Sequence, residues 1–220
     1  MRERWSVECK GRRQAQASAT LNWSRAPICD MKIGLFGGSF DPVHLGHLLV
    51  AQAAVEELAL DRLFFILAAR SPFKPDNNPA SAAHRLQLLR LALAGWTNCE
   101  IDEEEVQRGG VSYTIDTVRG YVKRFPDAQL FYLIGADNVA KLNEWRDAAE
   151  LARLAEFVAI PRPGGGGTSF PPAFRGRTLR GFPLGVSSSQ IRARVREGLP
   201  IEPLVPGAVA EAIRAARLYL

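Results

Sequence analysis

The sequence contains no apolar run long enough to cross a membrane. Its longest apolar stretches, such as residues 63–69, are far shorter than the roughly 18 residues that a spanning helix requires. No apolar stretch near the first residue precedes a small-residue cleavage site of the secretory type. We therefore expect a soluble protein that resides in the cytoplasm.

Cysteine is also scarce. The three cysteines, Cys9, Cys29 and Cys99, have no C-x-x-C spacing and are odd in number, which is typical of free thiols and excludes a disulfide-stapled scaffold. Hydrophobic residues make up 47% of the 220 positions and charged residues 23%. This balance is ordinary for a chain that buries one sizeable core, and it excludes disorder throughout.

The net charge of +5 belongs mostly to the first 30 residues. That segment holds six of the 28 Lys and Arg and three of the 23 Asp and Glu, which leaves 22 basic and 20 acidic residues in the remainder. It shows little strand or helix periodicity, whereas a continuous strand pattern begins at Met31. We predict that residues 1–30 are a disordered leader or precede the true initiator, Met31, and that residues 31–220 form a single domain. An organellar transit peptide or a nucleic-acid-binding arm is a less favoured alternative.

Strand-like and helix-like patterns alternate from Met31 onward. Strands are predicted at 31–36, 62–67, 100–101, 129–134, 156–160 and 178–182. Helices are predicted at 45–58, 82–93, 112–125, 138–154 (a pair), 187–198 and 206–218, and the run Gly164–Gly167 is predicted to lie in a surface loop. This alternation predicts an α/β fold, a doubly wound and mostly parallel sheet with helices on both faces and a ligand site at the carboxyl ends of its strands.

The largest group of candidate functional residues follows the first strand, in the run Gly37-Gly38-Ser39-Phe40-Asp41-Pro42-Val43-His44-Leu45-Gly46-His47. A glycine turn that leads into a helix N-terminus can hold an anion, and a phosphate is the natural guest. If the helix begins near Asp41, then His44 and His47 share one face of its first turn, and both imidazoles can point at one oxyanion. A zinc site made of these two histidines and Asp41 is an alternative, but it lacks a cysteine partner and an H-E-x-x-H context.

A second anion site is predicted where Ser187-Ser188-Ser189 opens an arginine-bearing helix. Serine is a favoured N-cap, and the first-turn amides together with Arg192 could hold phosphates. An ordinary capped helix with solvated arginines is the alternative. Lys74, in a proline-bounded loop after the second strand, could reach a further phosphate or simply be solvated.

The run Gly37–Pro42 followed by His44-x-Gly46-His47 resembles the signature of the H-x-G-H nucleotidyltransferase superfamily. The later motifs follow in the order seen in bacterial nicotinate-nucleotide adenylyltransferases: Ser71-Pro72-Phe73-Lys74-Pro75, Ser112-Tyr113-Thr114, Ile134-Gly135-Ala136-Asp137 with Trp145, and Val186-Ser187-Ser188-Ser189-x-Ile191-Arg192. The resemblance covers residues 31–220. It implies a Rossmann-like nucleotidyltransferase that transfers AMP from ATP to nicotinate mononucleotide, giving deamido-NAD and pyrophosphate in NAD biosynthesis.

The resemblance also implies roles for individual residues. Catalytic residues are predicted to be His44, His47 and Arg192. Residues that bind ATP are predicted to be Gly37, Gly38, Ser39, Phe40, Ser187, Ser188, Ser189, Ile191 and Arg162. Residues that bind nicotinate mononucleotide are predicted to be Asp41, Lys74, Tyr113, Thr114, Gly135, Asp137 and Trp145. No residue is predicted to bind a metal directly, because Mg²⁺ is expected to be carried by the phosphates of ATP, and no prosthetic group is expected.

The pyridine side of the site has a chemical rationale of its own. An indole face favours a positively charged pyridinium, so Trp145 is predicted to stack on the ring, although a half-buried core tryptophan fits the sequence nearly as well. Free amides at the helix start beside Tyr113 and Thr114 suit the nicotinate carboxylate, and a simple serine cap is the alternative. Gly135 and Asp137 follow a strand, where a carboxylate can accept hydrogen bonds from ribose or cap the next helix.

Two other functions are compatible with the same motifs. One is adenylyl transfer to another phosphomonoester, either nicotinamide mononucleotide or pantetheine phosphate. The other is a non-catalytic module that binds nucleotides or nucleic acid, which only the basic leader and the pI near 9.4 favour. We expect small-molecule partners, no membrane and no nucleic acid, and we leave a homo-oligomer open.

Overall fold

Six parallel strands form one sheet in the part of the chain that the computed structural model describes, residues 31–70, 80–161, 168–182 and 184–220. The strands are β1 (Lys32–Gly38), β2 (Arg62–Leu67), β3 (Cys99–Asp102), β4 (Gln129–Gly135), β5 (Glu156–Ile160) and β6 (Gly176–Thr178). Their order across the sheet is β3-β2-β1-β4-β5-β6, and every neighbouring pair is parallel. The predicted doubly wound α/β fold is confirmed.

Helices connect these strands and cover both faces of the sheet. Within the described ranges they are α1 (Leu45–Leu58), α2 (Ala82–Ala92), α3 (Glu104–Arg108), α4 (Thr114–Arg124), a 3-10 helix (Ala136–Glu144), α5 (Ala148–Leu154), α6 (Ser188–Arg196) and α7 (Gly207–Ala215). No helix in these ranges is both long and apolar enough to span a membrane.

The strand order reverses at the centre of the sheet. From β1 the chain moves outward through β2 and β3, then returns to the other side of β1 with β4 and continues to β5 and β6. The connections that leave β1 and β4 therefore diverge, and they open a crevice at the carboxyl ends of these two strands. The loop at Gly38 and the end of β4 at Gly135 lie at that edge.

The alternation of side chains along β1 divides the core into two layers. Ile33 and Leu35 are completely buried on one face, in a cluster that includes Ile115 of α4 and Leu151 of α5. Phe36 lies on the opposite face, in a cluster that includes residues of α1, α2 and α7. Because both faces are covered, the middle of the central strands is buried, and a ligand can reach these strands at their ends.

Several predicted boundaries differ from the observed ones. The helix pair at 138–154 is a 3-10 helix followed by α5, and the five-residue helix α3 was not predicted. The last strand was predicted at 178–182, but β6 covers Gly176–Thr178, where it pairs with Phe157 to Ala159 of β5. The loop at Gly164–Gly167 lies outside the described residues.

Candidate active site

The loop after β1 is built on close approaches that leave no room for side chains. A Cβ atom on Gly37 would lie 2.7 Å from the hydroxyl oxygen of Tyr132, and one on Gly38 would lie 2.9 Å from the ring of Phe40. Phe40 is buried and has a φ of 43°, a left-handed conformation that is uncommon for residues other than glycine. Its ring contacts that of His47 edge-on, with centroids 5.0 Å apart. The loop therefore presents its backbone at the crevice, supported by packing beneath it.

The two histidines form a stacked pair at the start of α1. The helix begins at Leu45, as the sequence pattern predicted, so His44 is its N-cap and His47 lies in its first turn. The condition that the helix begins near Asp41 is not met, because the backbone at His44 is extended. The ring centroids are 3.7 Å apart with planes 25° from parallel. The backbone N–H of His44 donates to Nδ1 of His47 across 3.2 Å. In the neutral ring of His47 this acceptor role leaves the proton on Nε2.

His44 is a buried member of this pair. The residue is 6% exposed, and desolvation lowers the pKa of its imidazole from 6.5 to about 4. The ring is therefore neutral at pH 7 and supplies hydrogen bonds rather than a full charge. Its Nδ1 atom is buried beside Gly46 and has no hydrogen-bond partner among the described residues, a costly state for a polar atom.

Gly46 separates the His44 ring from the segment that precedes α6. A Cβ atom at this position would lie 3.0 Å from Nδ1 of His44 and 3.7 Å from the carbonyl oxygen of Val186. A larger residue would therefore crowd the imidazole. The glycine of the H-x-G-H motif keeps the histidine loop and the α6 segment in close proximity.

Helix α6 docks directly on the histidine loop. Nη1 of Arg192 donates to the main-chain carbonyl of Asp41 at 2.7 Å, and its Nη2 donates to Oγ of Ser189 at 3.2 Å. The hydroxyl of Ser188 donates to the carbonyl of Pro42 at 2.9 Å. These bonds join two segments that are about 150 residues apart in sequence. The structure thus brings the arginine and serines of the second predicted anion site to the first.

The first turn of α6 is capped as the sequence indicates. Oγ of Ser187 accepts from the backbone N–H of Gln190 at 3.3 Å, and the Gln190 side chain accepts from the backbone N–H of Ser187 at 2.9 Å. This reciprocal capping fixes the start of the helix. Ile191 is completely buried and anchors the helix in the core, so it supports the site from below.

Asp41 is completely buried, and protein groups engage its carboxylate. Oδ1 accepts from the backbone N–H of Ala80 at 3.2 Å and from the hydroxyl of Tyr219 at 2.8 Å, while Nη1 of Arg192 lies 3.7 Å from Oδ2. The prediction that Asp41 contacts nicotinate mononucleotide finds no exposed surface of this side chain to act through. Oδ1 is bound by two donors and Oδ2 lies beside Arg192, an arrangement that favours a structural role for Asp41 over the zinc alternative.

A buried arginine holds the histidine loop against its neighbours. Arg85 of α2 is 3% exposed; its Nη1 donates to the carbonyl oxygens of Ser39 and Ala68, both at 2.9 Å, and its Nε donates to that of Ala80 at 3.1 Å. Because these bonds join the loop after β1 to the segment after β2, Arg85 fixes the shape of the crevice from inside.

On the other side of the crevice, most contacts are made by aromatic rings. Trp145 packs edge-on against Tyr132 of β4 and against Phe157 of β5, with centroids 6.4 and 6.1 Å apart. Oγ1 of Thr114 donates to the hydroxyl of Tyr132 at 3.3 Å. Burial raises the pKa of Tyr132 to about 12, so this phenol stays protonated. The predicted residues Thr114 and Trp145 therefore share a neighbour.

The start of α4 is tied to the end of β2. The backbone N–H of Ala69 donates to Oγ of Ser112 at 3.1 Å, which places the next residue, Tyr113, at the carboxyl edge as the N-cap of α4. The guanidinium of Arg146 lies 4.8 Å from the centre of the Tyr113 ring, a cation–π contact. Gly135 ends β4 at the same edge, followed by exposed Asp137 in the 3-10 helix.

Comparisons with known proteins identify the family. A family model of cytidylyltransferase-like proteins matches residues 35–194. A nicotinate-nucleotide adenylyltransferase of Opitutus terrae is 41% identical over 196 residues, which cover 86% of this chain and 98% of the relative. Another, of Thermus thermophilus, is 41% identical over 194 residues, covering 86% and 100%.

The chain belongs to the nicotinate-nucleotide adenylyltransferase family. Among solved structures, the nicotinic acid mononucleotide adenylyltransferase of Plasmodium falciparum complexed with NaAD matches with a TM-score of 0.68 and 16% identity, covering 86% of this chain and 97% of that one. At this identity the likeness shows the fold. The predicted family, enzyme class and Rossmann-like nucleotidyltransferase fold are confirmed.

Two residues of this family member were not predicted from the sequence, Arg85 and Tyr219. For Arg85 the sequence does indicate burial. It occupies the first position of an i, i+3, i+4, i+7 pattern whose other members, Leu88, Leu89 and Ala92, are buried. For Tyr219 no such signal exists, since its partner Asp41 is 178 residues away. Two predicted residues, Lys74 and Arg162, lie outside the described ranges.

Proposed function

We propose that the protein transfers the AMP group of ATP to nicotinate mononucleotide, forming deamido-NAD and releasing pyrophosphate. The observation that carries this proposal is the docking of α6 on the histidine loop, through the bonds from Arg192 to Asp41 and from Ser188 to Pro42. It sets the N-termini of α1 and α6 side by side where the strand order reverses. Two adjacent anion sites at such an edge match a triphosphate.

The reaction requires alignment more than acid–base chemistry. A nucleotide phosphate has a second pKa of about 6, so the phosphate of nicotinate mononucleotide is mostly a dianion at pH 7 and can attack without a general base. One of its oxygens bonds to the α-phosphorus of ATP, and the bond from that phosphorus to the bridging β-phosphate oxygen breaks. Pyrophosphate leaves with the electron pair. Positioning and electrostatic stabilisation then supply the catalysis.

On the phosphate side, we assign the α-phosphate to His44 and His47. His44 is neutral and stacks on His47, and the two rings suit hydrogen bonds to phosphate oxygens. Arg192 and the first-turn amides of α6 suit the β- and γ-phosphates. The remaining predicted ATP contacts are kept in the proposal: Gly37, Gly38, Ser39, Phe40, Ser187, Ser188, Ser189 and Arg162. For Ile191 we favour a supporting role, because its side chain is completely buried.

On the pyridine side, we assign recognition of the acceptor to the aromatic half of the crevice. Trp145 offers a ring face to the pyridinium, and the first-turn amides of α4 beside Tyr113 and Thr114 suit the nicotinate carboxylate. Gly135 and Asp137 suit the ribose, and Lys74 the acceptor phosphate. For Asp41 we now favour a supporting role, because its carboxylate is buried among protein donors.

Magnesium is proposed to arrive with the triphosphate. Within residues 31–70, 80–161, 168–182 and 184–220, no group of three or more His, Cys, Asp or Glu side chains is placed to hold a metal ion. We propose that phosphate oxygens, rather than a protein cage, hold the ion. When bound in this way, Mg²⁺ neutralises part of the phosphate charge, and Arg192 and the histidines bind the other oxygens. The proposal includes a cytoplasmic location and no prosthetic group, and a homo-oligomer stays open.

The substrate assignment is tested by pyrophosphate release from ATP. Nicotinate mononucleotide, nicotinamide mononucleotide and pantetheine phosphate are offered separately as acceptors. We expect the first to give the highest kcat/KM. A preference for pantetheine phosphate would discard the pyridine assignment, and equal rates with the acid and the amide would discard carboxylate recognition.

The domain assignment is tested by deleting residues 1–30. Full turnover in the shortened protein is expected, because the proposed site contains no residue of that segment. A loss of nucleic-acid affinity together with absent turnover in the full chain would favour the non-catalytic alternative instead.

A further inference from the structure

A hydrogen bond joins the segment after α7 to the histidine loop. The hydroxyl of Tyr219, the penultimate residue, donates to Oδ1 of Asp41 at 2.8 Å. To reach it, the chain leaves α7 through left-handed conformations at Arg217 (φ 51°) and Tyr219 (φ 68°), which are uncommon for residues other than glycine. Burial raises the pKa of Tyr219, so its hydroxyl remains a donor across the working pH range.

Asp41 links Tyr219 to Arg192, a residue of the proposed phosphate site. Its carboxylate is completely buried and accepts from Tyr219 and from the N–H of Ala80, while its main-chain carbonyl accepts from Nη1 of Arg192 at 2.7 Å. The same Nη1 lies 3.7 Å from Oδ2, the carboxylate oxygen without a hydrogen bond among the described residues. A buried carboxylate needs donors, and Arg192 is a cation within reach.

We propose that Tyr219 is a positioning residue for phosphate binding: its hydroxyl satisfies the carboxylate of Asp41, so that Arg192 stays on the Asp41 carbonyl and keeps its remaining donors for the triphosphate. Without the hydroxyl, the guanidinium moves toward Oδ2 and is lost to the substrate. The inference rests on the proposed function, in which Arg192 binds the β- and γ-phosphates.

The chain offers a matched control for Tyr219→Phe. Tyr121 also donates to a buried aspartate, Asp102, at 2.5 Å, and that carboxylate is likewise paired with an arginine, Arg124, at 2.8 Å. This second cluster joins β3 and α4 and includes none of the residues assigned to substrates. Tyr121→Phe therefore removes the same kind of bond with a comparable loss of stability, but it should leave turnover unchanged.

The first measurement separates binding from turnover. For Tyr219→Phe we expect the affinity for ATP, measured by calorimetry, and kcat/KM for ATP to fall about tenfold, the equivalent of one lost charged hydrogen bond. The KM for nicotinate mononucleotide should stay within about twofold. Wild-type ATP affinity in Tyr219→Phe, or an equal loss in Tyr121→Phe, would overturn the inference.

A double-mutant cycle tests whether Tyr219 acts through the arginine. Tyr219→Phe combined with Arg192→Lys should bind ATP no more weakly than Arg192→Lys alone, within about twofold. Losses that multiply would show independent actions and overturn the inference. If Tyr219→Phe does not fold, Asp41→Asn alters the acceptor of the same hydrogen bond instead. Unchanged ATP affinity in that variant would also overturn the inference.

The failure of the proposed function gives a different result. A wild-type protein that binds ATP but releases no pyrophosphate with nicotinate mononucleotide contradicts the substrate assignment. The role of Tyr219 is still decided in that case, because the calorimetric comparison of Tyr219→Phe with Tyr121→Phe does not require turnover.

Discussion

The two sides of the crevice are built by different interactions. On the phosphate side, arginines bind main-chain oxygens: Arg192 donates to the Asp41 carbonyl, and Arg85 donates to three carbonyls around the same loop. On the pyridine side, rings pack edge to face, and the hydroxyls of Thr114 and Tyr132 form the polar link. Hydrogen bonds from the arginines fix the positions of the main-chain atoms that they bind, whereas the packed rings define the shape of the surface that the acceptor meets. We therefore expect changes on the first side to lower kcat or the affinity for ATP, and changes on the second to raise the KM for the acceptor.

The largest effect is expected for His47→Ala. Losing one preorganised donor to the α-phosphate should lower kcat by about 10² to 10³ with the fold retained. His84→Ala is the matched control, since His84 lies on α2 and contacts Ser81. Pyrophosphate release measures the rate, and circular dichroism confirms the fold. A kcat within about threefold of wild type would contradict the proposed role of the phosphate side in catalysis.

The burial of His44 predicts a pH dependence of stability. Its folded pKa of about 4 lies below the unfolded value of 6.5, so the unfolded state binds the proton more readily, and stability falls as pH falls from 6.5 toward 4. Between pH 7 and pH 5 this one group should remove about 2 kcal/mol from the free energy of unfolding.

That contribution is isolated by comparing wild type with His44→Gln in urea titrations at both pH values. The variant should lose about 2 kcal/mol less than wild type over this pH range. Identical pH dependence in wild type and His44→Gln would show that the phosphate side is more solvated than its geometry indicates.

On the pyridine side, Trp145→Ala should raise the KM for nicotinate mononucleotide about tenfold with little change in kcat, as a lost cation–π contact predicts. Trp96→Phe, at a partly buried tryptophan of the opposite core cluster, is the control for stability. A fall in kcat at constant KM would mean that the two sides do not divide the work as proposed.

The smallest effect is expected for Thr114→Val, which keeps the shape of the side chain but removes the donor to Tyr132. We expect the KM for nicotinate mononucleotide to rise about threefold, within the range of one neutral hydrogen bond. Thr117→Val removes a hydroxyl one turn further along α4, where it donates to buried Glu105 at 2.5 Å. That control should lower the melting temperature and leave the KM unchanged.

Local patterns predicted the fold wherever burial dominates. The strand at 62–67 and the helix at 45–58 were predicted with their observed bounds, since both are long, apolar and closed by turn residues. Helix α3 was missed because its five residues are mostly polar and carry no periodicity. Strand β6 was misplaced because all three of its residues are exposed, so that pairing with β5 alone defines it.

In the candidate site too, local motifs could be predicted from the sequence, whereas contacts between distant residues could not. The glycine turn, the histidine pair and the serine-led helix are local motifs, and their convergence follows from the rule that parallel strands end at one edge. The contacts that hold them together, from Arg85 and Tyr219, depend on side chains that meet only after the chain has folded. No spacing in the sequence encodes these pairs.

The close approach at Gly37 constrains how this protein can evolve. With Tyr132 present, a methyl group at Gly37 would meet the phenolic oxygen at 2.7 Å; without that oxygen the nearest atom of the Tyr132 side chain lies 3.6 Å away, an ordinary contact. Alanine at position 37 is thus accommodated more easily after phenylalanine has replaced Tyr132. Lineages that pass through the opposite order meet a steric barrier, so these two sites should covary across descendants, with a fixed direction of change.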